Sequence, residues 1–177
     1  ENEYLANLFK LREIRTEQIL TPRSVVHMLD QSLTVTEALD LAETRQFSRI
    51  PVYGEGFDDI TGKVIRADLF EAERSGHGEE PISRYAKPIY RVSEKLPVQQ
   101  LLDLFIKHRL HLFLVEDEFG QTAGVVTLED AIETLLGREI IDERDTVEDM
   151  QALARGKYRD RLRAEKQQVN TDKDQGE

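Results

Sequence analysis

Hydrophobic and polar positions recur along the chain in two similar blocks. In residues 34–46 (TVTEALDLAETRQ) the apolar Val35, Ala38, Leu39 and Ala42 fall at helical spacing. In residues 97–109 (PVQQLLDLFIKHR) Val98, Leu101, Leu102 and Phe105 do the same, 63 residues further on. Thr34 with Glu37 fits a capping box, and Pro97 suits a first helical turn. Each helix leads into a short apolar strand, 50–53 (IPVY) and 112–115 (LFLV), and then a polar turn containing Gly. A second strand opens at Gly62 (GKVI) and at Gly124 (GVVT), and a second helix closes each block near 67–74 and 128–136. Here the offset has become 62, so the one-residue drift falls in the hairpin loop, where insertions cost little. With opening strands at 25–29 and 89–92, each block reads strand, helix, strand, strand, helix. The pattern predicts a mixed α/β (α+β) fold of two repeats. Each repeat is a small three-stranded sheet on two helices, and the two are related by a pseudo-twofold.

A unit of about 60 residues buries little by itself, so the two repeats gain by packing together. A polar, small-residue stretch at 75–81 (SGHGEEP) separates them. The predicted division is a lead-in helix over 1–15, a first repeat over 16–77, a second over 82–142 and a charged tail over 143–177, partly helical and then disordered. The lead-in carries Leu5, Leu8, Phe9 and Arg12 on one stripe. Residues 129–149 hold nine acids and two Arg, whereas 155–166 hold six bases and two acids.

The chain has 177 residues, 39% apolar and 33% charged, with a net charge of −11. That sign argues against nucleic acid as the main partner. The absence of Cys excludes disulfides and thiolate-bound zinc. No apolar run approaches the ~20 residues of a membrane span, and no signal peptide is evident. The chain opens on Glu1 rather than Met, which reads as a piece of something longer.

Four segments occur in order within the repeat: Leu20-Thr21-Pro22-Arg23, Ser48-Arg49-Ile50-Pro51-Val52-Tyr53, Val115-Glu116-Asp117-Glu118-Phe119-Gly120, and Gly124-Val125-Val126-Thr127-Leu128-Glu129-Asp130. Together they resemble a tandem CBS-domain pair (a Bateman module), and more closely the pair of the hemolysin-related CorC/CNNM magnesium and cobalt efflux family. A trailing Glu139-Ile140-Ile141-Asp142-Glu143 also matches, so the likeness covers about residues 15–145. Leu20 stands where that family has Met, a tolerable apolar exchange. The C-terminal CorC/HlyC domain of many members is not expected after Asp145. The resemblance implies a regulatory module rather than an enzyme, at the cytoplasmic face of a membrane and attached to a membrane domain that moves divalent cations. It also implies homodimers and an adenosine nucleotide (AMP, ADP or ATP) bound between the repeats, with Mg²⁺ bridging its phosphates.

The residues can be weighed on their own chemistry. Thr127 and Asp130 are delivered by a strand to a helix N-terminus, where unpaired N–H groups and the dipole suit phosphate. A Thr127 hydroxyl can donate to a phosphate, and an ionised Asp130 can accept from both hydroxyls of a ribose. An N-cap and a first-turn acid would explain the same two residues without any ligand. Arg49, beside Ser48, can grip a phosphate with its planar fork, or form an ordinary surface ion pair. Ile50 and Pro51 can wall an adenine, and Thr21 and Pro22 would close the same cavity. The resemblance implies that the positions of Thr21, Arg49, Ile50, Pro51, Thr127 and Asp130 converge on one site.

The equivalent second cavity is poorer. Asp68 matches Asp130, but Ile65 stands for Thr127 and residues 111–114 replace Ser48 to Pro51. One nucleotide per chain is expected. No metal ligands are assigned: His108 and His111 lack a second pair, and 116–118 reads as a solvated acidic turn. No catalytic arrangement emerges. Two other readings remain: a nucleotide-independent assembly module that only dimerises, and an acidic module that senses Mg²⁺ directly.

Overall fold

The computed structural model describes Phe9 and residues 11–137. The elements run β1 (Thr21–Pro22), β2 (Leu29–Asp30), α1 (Val35–Asp40), β3 (Arg49–Tyr53), β4 (Ile60–Ile65), α2 (Arg66–Arg74), β5 (Tyr90–Ser93), α3 (Val98–His108), β6 (Leu112–Glu116), β7 (Thr122–Thr127) and α4 (Leu128–Leu136). They form two sheets, ordered β2-β3-β4 and β1-β7-β6-β5. This is the mixed α+β arrangement the periodicity predicts. Among the described residues no helix is long and apolar enough to cross a membrane.

The two sheets repeat each other in register. β2 runs parallel to β3 with Leu29 opposite Val52, and β5 runs parallel to β6 with Val92 opposite Val115. Both hairpins are antiparallel, pairing Arg49 with Ile65 and Leu112 with Thr127. Each carries an irregularity at the equivalent step, Val52/Tyr53 and Val115/Glu116.

The repeat extends to an added strand. β1 leaves its own unit and pairs antiparallel with β7, Thr21 opposite Val125. The counterpart is a single bridge of Lys87 with Lys63 on the other sheet. Both close approaches depend on glycine. A Cβ at Gly124 would stand 2.0 Å from the Thr21 carbonyl oxygen, and one at Gly62 would stand 2.6 Å from that of Lys87.

The helices end where local chemistry stops them. Thr34 and Thr127 each cap the helix that follows, accepting from the amide three residues on, while that residue's carboxylate accepts from the capping amide. α4 stops at Gly137, left-handed at φ 68°, and α3 stops at Arg109, a non-glycine residue at φ 53°.

Three local expectations are corrected. The first helix ends at Asp40, with Leu41 extended and a 3-10 turn over Thr44–Gln46. A longer helix would have to bury Ala42, whose counterpart is the bulky Phe105, and a methyl supplies too little apolar surface. The Arg45 Nε donates to the Leu39 carbonyl instead, at 2.9 Å. The first opening strand is two residues rather than 25–29, because the Val25 amide turns back to the Pro22 carbonyl. The second sheet has four strands rather than three, since it takes in β1. The lead-in helix lies mostly, and the tail and 139–143 wholly, outside the described residues.

Side chains alternate across each strand, which sets the core and the cleft. Phe113, Val115 and Val126 face helices α3 and α4, packing with Leu101, Phe105 and Ala131. Phe105 is 1% exposed, with its ring 4.5 Å from that of Phe113. Ile50, Val52 and Val64 pack likewise with Val35, Leu39 and Leu69. The opposite face of the second sheet presents Leu112, Leu114 and Val125, which join the core of the first unit. The sheets therefore pack face to face.

Candidate functional site

In the layer between the sheets the internal repeat breaks down chemically. Strand pairing puts Arg49, Pro51, Lys63 and Ile65 on one face of the first sheet. The equivalent positions on the second sheet are Leu112, Leu114, Val125 and Thr127. One wall is thus cationic where the other is apolar. Lys63 is only 6% exposed. Burial, together with the positive charges of Arg49 and Lys87, holds its ammonium below the usual lysine range. Among the described residues, neither Arg49 nor Lys63 has a hydrogen bond or ion pair through its side chain.

Arg49 opens onto a cavity of about 260 Å³ lined by both units. The first contributes Ser48, Arg49, Ile65 and Arg66, and the second His111 and Glu129. Ser48 and His111 are counterparts in the repeat. The cavity therefore lies where the starts of α2 and α4 approach each other, with room for a small polar group such as a phosphate.

Each residue singled out in the sequence has a definite place. Thr127 is half-buried at the N-terminus of α4, and its Oγ1 accepts from the Asp130 amide at 3.2 Å. A hydroxyl that accepts still has a proton to donate, so the cap and a phosphate contact are compatible. Asp130 is 2% exposed, and its Oδ2 accepts from the Thr127 amide at 2.8 Å. It serves the helix end in this geometry, and reaching a ribose would have to use its remaining acceptor capacity. Thr21 is 1% exposed, beside Val125 on the second sheet, and Pro22 is exposed. Ser48 and Arg49 border the cavity. Pro51 lies buried on the face that carries Arg49. Ile50 is corrected: its side chain is wholly buried in the first core, so only its main chain can border a ligand.

The second cavity is obstructed as well as poorer. Lys87 occupies the strand position equivalent to Thr21, and its Nζ lies 3.0 Å from Asp68 Oδ2, the counterpart of Asp130. The acid that would hold a ribose there is already paired. The acidic turn at 116–118 is also committed. Glu116 pairs with Arg91 at 2.7 Å, and Asp117 Oδ1 accepts from the amides of Phe119 and Gln121, both at 2.9 Å. Among the described residues no group of three or more His or acidic side chains is placed to hold a metal.

Sequence reading passed over Lys63 and Lys87. Their signal was in the repeat itself: Lys63 occupies the strand position where the second unit has Val125, and Lys87-Pro88 mirrors Thr21-Pro22.

Comparison with known proteins agrees with this architecture. The family model described as the CBS domain matches residues 82–137. A UPF0053 protein of Synechocystis is 36% identical over 157 residues, covering 89% of this chain and 45% of that protein. The chain thus spans less than half of that relative's length. The CBS domain of a bacterial CNNM/CorC family Mg²⁺ transporter, solved in complex with ATP, is 32% identical with a TM-score of 0.73, covering 77% of this chain and 97% of that one. A CBS-domain pair from Klebsiella pneumoniae with bound AMP is 26% identical with a TM-score of 0.59, covering 70% of this chain and 99% of that one. With its two repeating sheets, its helix-capping Thr127 and its likeness to these domains, the chain belongs to the CBS domains of the CNNM/CorC family.

Proposed function

We propose that this CBS pair binds one adenosine nucleotide in the cleft between its sheets, and that occupancy regulates an attached membrane domain that moves divalent cations. The observation that carries the reading is Arg49. Its guanidinium borders a cavity shared by both units and has no ion-pair partner among the described residues. The α4 N-terminus supplies orphan amides and the positive end of a dipole nearby. The ATP held by the CNNM/CorC neighbour and the AMP held by the Klebsiella neighbour support an adenosine nucleotide as the ligand. Residues that fit it are Thr127 and Arg49 for phosphate, Pro51 and the Ile50 main chain for the base, and Asp130 for the ribose. Thr21 and Pro22 close the cleft, and Ser48 flanks the phosphate. Mg²⁺ enters as a bridge between phosphates.

Because ligand would contact both sheets, binding favours whichever arrangement of the two units fits it best. Regulation follows only from that difference in affinity. The module sits at the cytoplasmic face and works as a homodimer. Exposed apolar side chains on its helices, Phe70 at 46% and Ile106 at 65%, suit contact with a second copy.

Thermal melting tests ligand binding directly. A nucleotide that binds only the native state, supplied at a hundred times its Kd, adds about 2.7 kcal/mol of stability. The melting temperature is expected to rise with AMP, ADP or ATP and to stay unchanged with an equal charge of sulfate. An equal rise with sulfate would reduce the cleft to a general anion site.

A further inference from the structure

We propose that the two hairpin turns form one docking surface, and that its occupant is the basic segment 155–166 of this same chain.

The turns belong to different units and lie side by side. They are residues 54–59 (GEGFDD), between β3 and β4, and residues 116–121 (EDEFGQ), between β6 and β7. Two arginines tie them together. The Arg23 amide donates to the Ala123 carbonyl at 2.9 Å, while its Nη1 lies 2.6 Å from Asp58 Oδ1. Arg91 donates from Nη1 to Glu116 Oε1 at 2.7 Å and from Nη2 to the Ile60 carbonyl at 3.2 Å. Each arginine therefore touches both hairpins, at the opposite end of the strands from Arg49 and Thr127.

Two chemical features mark this end as a contact surface. The first is apolar. Phe57 is 60% exposed and Phe119 80% exposed, and they are counterparts in the repeat. The turns otherwise differ in sequence, yet each presents a phenyl ring to solvent. One exposed phenylalanine needs no explanation, but two on adjoining turns make a patch. The second feature is charge. Each turn carries three acids, so six carboxylates stand against the two guanidiniums. Local pairing occupies hydrogen-bond capacity without cancelling that excess of four negative charges. Such a surface attracts a cationic partner and repels phosphates and anionic lipid.

The chain itself supplies a matching partner. Segment 155–166 (RGKYRDRLRAEK) lies outside the described residues and has six bases against two acids, an excess of four positive charges. Tyr158 and Leu162 give it apolar side chains to set against the two phenylalanines. Eighteen residues separate Gly137, just past α4, from Arg155. They can span up to about 60 Å, whereas the six residues of β7 cover about 20 Å. The segment therefore reaches the turns. Tethering keeps its local concentration high, so several individually weak ion pairs suffice. The acidic run at 139–149 has the same sign as the turns and is the competing dock, but pairing there leaves Phe57 and Phe119 uncovered.

Zero-length carbodiimide cross-linking of the full chain at low salt, in an equal mixture of ordinary and isotope-labelled protein, identifies the occupant. The expected products join Lys157 or Lys166 to an acid of 54–59 or 116–121 within one chain, and they disappear at high salt. Links confined to 139–149 would overturn the proposal in favour of that run. Links only between differently labelled chains would overturn it in favour of a second copy, and no links at all would also overturn it. The double variant Phe57→Ser with Phe119→Ser tests the apolar half. Both side chains are exposed, so neither core is disturbed. Tryptic cleavage within 155–166 is expected to speed up about tenfold, since a docked segment must leave the surface before it is cut. Cleavage at the wild-type rate would overturn docking on the aromatic pair.

Discussion

Arg49→Ala is expected to weaken nucleotide binding about a hundredfold or more without unfolding the protein. A guanidinium facing a phosphate makes charge-assisted contacts worth about 1.5–3 kcal/mol each, and the planar fork allows two. In the unliganded state this side chain contributes little. It has no ion pair among the described residues, and it repels the buried Lys63. Removing it therefore lets Lys63 titrate nearer the ordinary lysine range, and the unliganded melting temperature should hold or rise. Arg49→Lys should recover part of the affinity, since the charge returns without the fork. Titration of each variant alongside a thermal melt separates the two effects. Unchanged affinity in Arg49→Ala would remove Arg49 from the site.

Phe105→Ala is expected to cost about 3–5 kcal/mol of stability, a large share of what a domain of this size possesses. Phe105 is 1% exposed and lies against Phe113 at the centre of the second core. That core positions β7, and β7 carries Thr127 to the start of α4. The variant should therefore unfold at lower urea, and any nucleotide affinity should fade as the second sheet loosens. Its counterpart in the repeat offers a control. Ala42 is exposed, so Ala42→Ser should change stability within ±0.5 kcal/mol. A cost below about 1 kcal/mol for Phe105→Ala would mean that the second core is not organised around this ring.

The contrast between Phe105 and Ala42 also shows what the sequence made legible. Periodicity located α3, α4 and both hairpins, because long amphipathic stretches with large apolar anchors leave little choice. It overextended the first helix, because Ala42 keeps the spacing of an apolar stripe without the surface to bury. It missed the strand exchange of β1, because two residues carry no periodicity and their partner lies 104 positions away, Thr21 opposite Val125.

The candidate site was named from the resemblance to CBS pairs rather than from periodicity. Thr21, Arg49, Pro51 and Thr127 fall on the two facing layers between the sheets, which strand pairing shows only in the folded chain. Ile50 has the opposite parity to Arg49 and points into the core. Lys63 stayed hidden because a lysine in a strand is ordinarily read as solvent-facing. Only the folded chain, in which Lys63 bridges Lys87 and is 6% exposed, shows it to be enclosed.

Calorimetric titration of the protein with AMP, ADP and ATP, each with and without Mg²⁺, tests the central claim most directly. The account predicts saturable binding of one nucleotide per chain, since the twin cavity has lost its arginine and has Asp68 tied to Lys87. Two nucleotides per chain of similar affinity would contradict the asymmetry of the cleft. No binding of any of them would contradict the nucleotide reading itself and return Thr127 and Asp130 to the helix-capping roles they visibly perform.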